Sequence, residues 1–143
     1  MRVADILHSK GADVVTIRPE ATVRELLAVL AEHNIGALVV TRDGVTVDGI
    51  VSERDVVRCV NAHADGFEHS VSTIMTADVA SSEPGESVDH LMRVMTDRRI
   101  RHIPVVVNGK LRGIVSIGDV VKSRIGELEL EREQLSSYIS GSR

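Results

Sequence analysis

The chain has 143 residues, 43% of them hydrophobic and 27% charged, with a formal net charge of −4; that suits one compact domain, or two small ones sharing a core. The acidic balance, and an aromatic inventory of Phe67 and Tyr138 alone, exclude a nucleic-acid partner, because phosphate neutralisation needs a basic surface and base stacking needs rings. No apolar run nears the roughly 20 residues that span a bilayer, and the start at Met1 has no signal-peptide core, so a cytoplasmic location with no membrane contact is expected.

The first element is Val3-Ala-Asp-Ile-Leu7, stopped by Gly11. A short strand over Val14 to Ile17 leads through Pro19 to an amphipathic helix whose apolar positions, Val23, Leu26, Leu27 and Leu30, share one face. Two strands follow, Ala37 to Val40 and Val47 to Val51, around the hairpin signal Asp43-Gly44. A second helix opens at Ser52 and carries Cys59 on its apolar side; as the only cysteine, Cys59 rules out an internal disulfide and reads as a small buried hydrophobe. Residues 61–70 are small and polar, a linker.

The order then repeats. Val71 to Thr76 is followed by a strand over Val79 to Ser82, a helix with Val88, Leu91, Met92 and Met95 inward, strands Ile103 to Val107 and Leu111 to Val115 around Asn108-Gly109, and a helix opening at Ser116. The duplication is most evident in Gly49-Ile-Val-Ser-Glu-Arg-Asp-Val-Val57 and Gly113-Ile-Val-Ser-Ile-Gly-Asp-Val-Val121, which differ at two positions. The reading is an α/β (α+β) protein of two β-α-β-β-α units, 3–60 and 71–123, joined by 61–70. The last helix continues over 124–143, where Ile125, Leu128, Arg132, Leu135 and Ile139 recur at spacings of three and four. Such a seam is marginal alone, so it is expected to supplement a larger homodimer contact.

Each Ser-x-x-Asp motif, Ser52 to Asp55 and Ser116 to Asp119, carries two readings. It is a capping box, in which Ser and the acid satisfy orphan backbone donors at a helix start. It is also a ligand corner, since a helix N-terminus offers free N–H groups and a positive dipole end to a phosphate. No two of the six histidines lie four apart on a helix and no carboxylate joins them at metal-site spacing, so no metal is expected. No Ser/His/Asp or Cys/His arrangement has a catalytic context, so no enzyme activity is expected.

Val71-x-x-Ile-Met-Thr76, Arg101-His-Ile-Pro-Val105 and the paired Ser-x-x-Asp turns, in that setting, resemble a tandem pair of cystathionine β-synthase (CBS) domains, a Bateman module, from about Val3 to Ser123. The resemblance implies two units packed sheet to sheet about a pseudo-twofold axis, a homodimer, and clefts that take adenosine-containing ligands without a required cofactor. AMP is the leading ligand and NAD(H) the second, acting on a downstream protein partner that the sequence does not name. Asp55 and Asp119 would hold the ribose diol. Ser52, Arg54, Arg101, His102 and Ser116 would serve the phosphate, with Lys122 and Arg124 as weaker choices. Thr16, Ile17, Ala37, Leu38, Ser81, Ile103 and Pro104 would line the adenine, each equally explained as sheet core. The halves differ where Arg101-His-Ile-Pro104 stands opposite Gly36-Ala-Leu-Val39, so one cleft is expected to be more basic. The rival reading is a ligand-independent dimerisation module in which both turns are only caps.

Overall fold

A computed structural model describes residues 1–141. The two long amphipathic helices form where the periodicity places them, α2 over Val23–His33 and α5 over Val88–Arg98. Thr22 and Ser87 cap them, each hydroxyl accepting the N–H three residues on at 3.1 Å. Both helices end at a left-handed residue, Asn34 (φ 51°) and Arg99 (φ 53°), the conformation that lets a chain turn sharply off a helix.

In the first half a three-stranded sheet runs β1 (Thr16–Ile17), β2 (Ala37–Val40), β3 (Gly49–Ser52), with β1 parallel and β3 antiparallel to β2. In the second half β4 (His102–Val107) and β5 (Lys110–Ser116) pair antiparallel. The counterpart of β1 there shrinks to one parallel bridge, Ser82 to Val105. Asn108 and Gly109 both have positive φ (51° and 76°), so β4 and β5 join through a two-residue primed turn that matches strand twist.

The tight turn expected at Asp43-Gly44 does not form. The Asp43 carboxylate accepts the N–H groups of Val45 (2.9 Å) and Thr46 (2.7 Å) and the Thr46 hydroxyl (2.9 Å), closing an Asx turn on itself. Those bonds hold its carboxyl far below the usual carboxylate range. Consequently β2 stops at Val40 and β3 starts at Gly49, two residues later than expected.

The short elements ahead of each unit are exchanged. Helix α1 (Val3–Lys10) precedes the first half, yet Val3 and Ile6 pack with Val88, Leu91, Met95, Ile103, Val105 and Val115 of the second. Helix α4 (Val71–Ile74) precedes the second half, yet Val71 lies in the first core with Val23, Leu26, Leu38 and Val51. Matching backbone bonds seat them: Ala4 N–H to Pro84 and Val3 N–H to Glu86, Ser72 N–H to Pro19 and Val71 N–H to Ala21, at 2.8–2.9 Å. Val3 and Val71 are fully buried, each worth about 1.5–3 kcal/mol, so neither core closes without a segment from the other side of the chain.

The duplicated glycines serve this exchange. A Cβ on Gly113 would lie 2.6 Å from a Leu7 methyl, and one on Gly49 would lie 2.6 Å from the Met75 sulfur and 2.8 Å from the Thr76 carbonyl oxygen. Helix α3 (Glu53–Ala62) follows β3, and α6 (Ile117–Gly141) follows β5. Among the described residues of α6 only Val120 is buried, while Ile125, Leu128 and Leu135 are exposed; the last two residues of the expected 124–143 extension lie outside the described residues.

Candidate functional site

Both Ser-x-x-Asp turns are capping boxes. Asp55 Oδ2 accepts the Ser52 N–H at 2.8 Å and the Ser52 hydroxyl at 3.1 Å, while the Asp55 N–H reaches back to that hydroxyl at 3.4 Å. Asp119 Oδ2 accepts the Ser116 N–H at 2.8 Å, and Ser116 Oγ accepts the Asp119 N–H at 3.1 Å. Each helix start is also tied to the strand beside it, Glu53 N–H to the Gly36 carbonyl (3.0 Å) and Ile117 N–H to the Arg101 carbonyl (2.8 Å). The motif therefore fixes a helix N-terminus against a sheet edge in both halves.

The first corner opens into a cleft of about 290 Å³ between the two halves. One wall is Gly36, Ala37, Ile50 and the start of α3, Ser52 to Asp55; the other is Thr76 and the stretch Arg99 to His102. Asp55 caps with Oδ2 alone; among the described residues no protein donor bonds its Oδ1. Three arginines, Arg54, Arg99 and Arg101, line the same space. The arginines exceed Glu53 and Asp55 by one positive charge, so the corner can accept an anion, and a carboxylate oxygen without a donor can accept hydroxyl groups.

At the second corner Asp119 Oδ1 likewise takes no protein donor among the described residues, but its Oδ2 is shared with a lysine of the chain itself. Lys10, the last residue of α1, donates to Asp119 Oδ2 at 2.6 Å and to the Ile114 carbonyl at 2.9 Å. Burial pushes the Asp119 carboxyl up, but the Lys10 bond and the Ser116 N–H outweigh it and leave it below its ordinary value. His102 stands between the corners. Burial lowers its pKa, Asp119 works the other way, and Lys10 and Arg101 lower it further, so at neutral pH it offers a hydrogen bond rather than a charge.

Of the residues expected to bind, Ser52, Arg54, Asp55, Ala37, Arg101 and His102 come together in the cleft. Ser116 and Asp119 sit at the closed corner. Lys122 is exposed one turn along α6, and Arg124 is drawn to Glu127 at 3.0 Å. Ile17, Leu38 and Ile103 belong to the two cores; Pro104 is buried in β4, Thr16 is half-buried and Ser81 exposed. Sequence reasoning missed Glu53, Thr76, Arg99 and Lys10. Arg99 was within reach, since it occupies the helix-ending position of Asn34 beside Arg101. It also missed a histidine cluster: the linker folds back and brings ligand atoms of His63, Asp65 and His69 within 4.8 Å of one another, with Asp65 and His69 four residues apart.

Paired sheets, exchanged helices and a helix-start corner in each half define a two-unit module. Residues 3–62 and 71–126 each match the CBS domain family. The chain belongs to that family and is a CBS domain pair, a regulatory type of module. It is similar to the crystal structure of the CBS-domain containing protein ATU1752 from Agrobacterium tumefaciens, at 46% identity and a TM-score of 0.83 over 86% of this chain and 92% of that one. It is 34% identical to the mitochondrial CBS domain-containing protein CBSX3 of Arabidopsis thaliana, over 97% of this chain and 72% of that protein. The CBS domain pair of protein MJ0100, solved in complex with 5′-methylthioadenosine and S-adenosyl-L-methionine, is 26% identical with a TM-score of 0.75, covering 85% of this chain and 98% of that one. No helix among the described residues is long and apolar enough to cross a membrane.

Proposed function

We propose that this chain is a non-catalytic cytoplasmic sensor that binds one adenosine monophosphate nucleotide in the first-corner cleft, with Asp55 on the ribose diol and Arg54, Arg99 and Arg101 around the phosphate. The observation that carries this reading is the unbonded Oδ1 of Asp55 in a cleft that also holds three arginines. The adenosine ligands of the MJ0100 pair support the ligand class. Volume and charge narrow it: about 290 Å³ is at the small end of ligand sites, which favours AMP over NAD(H), and a second nucleotide would have to displace Lys10 from Asp119. Ala37, Ile50 and Ile100 offer the base aliphatic contacts in place of aromatic stacking.

Exposed apolar residues support a homodimer as the signalling unit. Val57 (67% exposed) and Val121 (48%) occupy matching positions on α3 and α6, and Ile125, Leu128 and Leu135 extend the face. Ligand state would then act through dimer geometry or through contact with a protein partner. Calorimetry of nucleotide-free protein with AMP, ADP, ATP, NAD(H) and S-adenosylmethionine tests the reading: AMP should bind tightest, at one per chain. Arg101→Ala should weaken AMP far more than adenosine. No binding of any of the five, with dimerisation intact by sedimentation, would favour the ligand-independent dimerisation module instead.

A further inference from the structure

The linker between the units is a built turn. Its backbone closes through His63 N–H to Cys59 O, Gly66 N–H to His63 O, Glu68 N–H to Asp65 O and His69 N–H to Gly66 O, at 2.9–3.2 Å. Gly66 presses onto α3, where a Cβ would meet Val60 Cα at 2.9 Å and the Cys59 carbonyl at 3.0 Å. The His69 carbonyl in turn accepts the Val23 N–H at the start of α2. The turn is thus held from both sides, and its side chains leave it from fixed backbone positions.

Three of those side chains converge. His69 Nε2 lies 3.0 Å from Asp65 Oδ1, and the His63 and His69 rings sit 4.6 Å apart, tilted by 36°. One ligand atom from each of the three lies within 4.8 Å of the other two. Ligands about 2.0–2.1 Å from a tetrahedral zinc ion stand about 3.4 Å from one another, a gap that rotation of the exposed His63 and Asp65 side chains toward the half-buried His69 can close.

We propose that His63, Asp65 and His69 form a binding site for a divalent transition metal of the zinc type, with a fourth position open to water. Two imidazoles and a carboxylate favour zinc, nickel or copper over magnesium or calcium, which prefer all-oxygen cages. The nearby thiol does not take part: Cys59 is buried beneath the turn with its Sγ directed at the Gly66 carbonyl, 3.6 Å away. Bound metal would pin the C-terminus of α3 to the segment that seats α2 and leads into α4, stiffening the first half. It lies outside the nucleotide cleft, so it rests on different residues from the proposed ligand site.

The test uses the full chain with every purification tag removed. Titration of zinc against a chromophoric chelator should show one equivalent bound per chain. His63→Ala and His69→Ala should each weaken it by roughly tenfold or more, Asp65→Ala should weaken it too, and His33→Ala, an exposed histidine on α2, should leave it unchanged. Zinc should raise the melting temperature of wild type and His33→Ala but not of His69→Ala, while magnesium raises none of them. The proposal is overturned if wild type binds no stoichiometric zinc, or if His33→Ala loses as much affinity as the linker variants.

Discussion

The two Ser-x-x-Asp corners are copies of one motif that end in opposite states. Both aspartates use Oδ2 alone, but Asp55 faces an open cleft lined by arginines, whereas the Oδ2 of Asp119 is also bonded to Lys10. The difference originates in the exchanged segments. Lys10 stands seven residues after Val3, and the matching position seven residues after Val71 is Asp78, which is fully exposed and 3.9 Å from Arg98. Helix α1 runs on to Lys10, whereas α4 stops at Ile74. Duplication therefore copied the cap, and divergence of a distant residue decided which copy remained open.

The largest effects should come from the glycines under the exchanged segments. Gly49→Ala pushes against the backbone carbonyl of Thr76, and Gly113→Ala meets only the movable end of Leu7. Overpacking of this kind costs about 1–3 kcal/mol, so Gly49→Ala should fall at the upper end and Gly113→Ala at the lower. Denaturant melts read this directly, and equal losses would mean that the two seats are equally tight.

Asp55→Asn should lower AMP affinity about tenfold or more, because a charge-assisted bond is worth roughly 1.5–3 kcal/mol, while changing the stability of the free protein by less than about 1 kcal/mol. Asp119→Asn should do the reverse, sparing AMP affinity and costing about 1 kcal/mol of stability through the half-exposed Lys10 pair. Lys10→Ala should convert the closed corner and raise the number of nucleotides bound per chain above one. If the two Asn variants lose AMP equally, the corners are not distinct.

The smallest effect concerns pH. His102 has a pKa below its ordinary 6.5, so on acidification the unfolded chain takes up that proton first. It then binds more protons than the folded chain, and stability rises with pH across the window between the lowered value and 6.5, levelling off above it. The Asp119 carboxyl, held below 3.8, stays ionised in this window and adds no slope there; its contribution goes only as the pH falls through its lowered value. Thermal melts between pH 5 and 7.5 should show the slope in wild type and a shallower one in His102→Gln.

Much of this was legible in advance. The periodic helices, the Asn108-Gly109 turn and both boxes sit where their residues place them, because caps, primed turns and amphipathic faces are set by neighbours three or four apart. Six of the expected site residues sit on or beside such local elements, but that Arg101 and His102 of the second half meet Ser52, Arg54 and Asp55 of the first in one cleft is a long-range outcome. The Asp43 turn was misread, although its cause is local too: a carboxylate with N–H groups two and three residues ahead closes on itself before a hairpin can form.

The amino-acid sequence alone determined the duplication, the two-unit α/β architecture and the helix-start corners, all of which follow from short-range patterning. Only the tertiary structure decided that α1 and α4 trade cores, that Lys10 reaches Asp119 across 109 residues of chain, and that the first corner faces Arg99 to His102 of the other half. Such pairings depend on where buried apolar faces find closure in three dimensions, and no local spacing encodes which distant segment provides it.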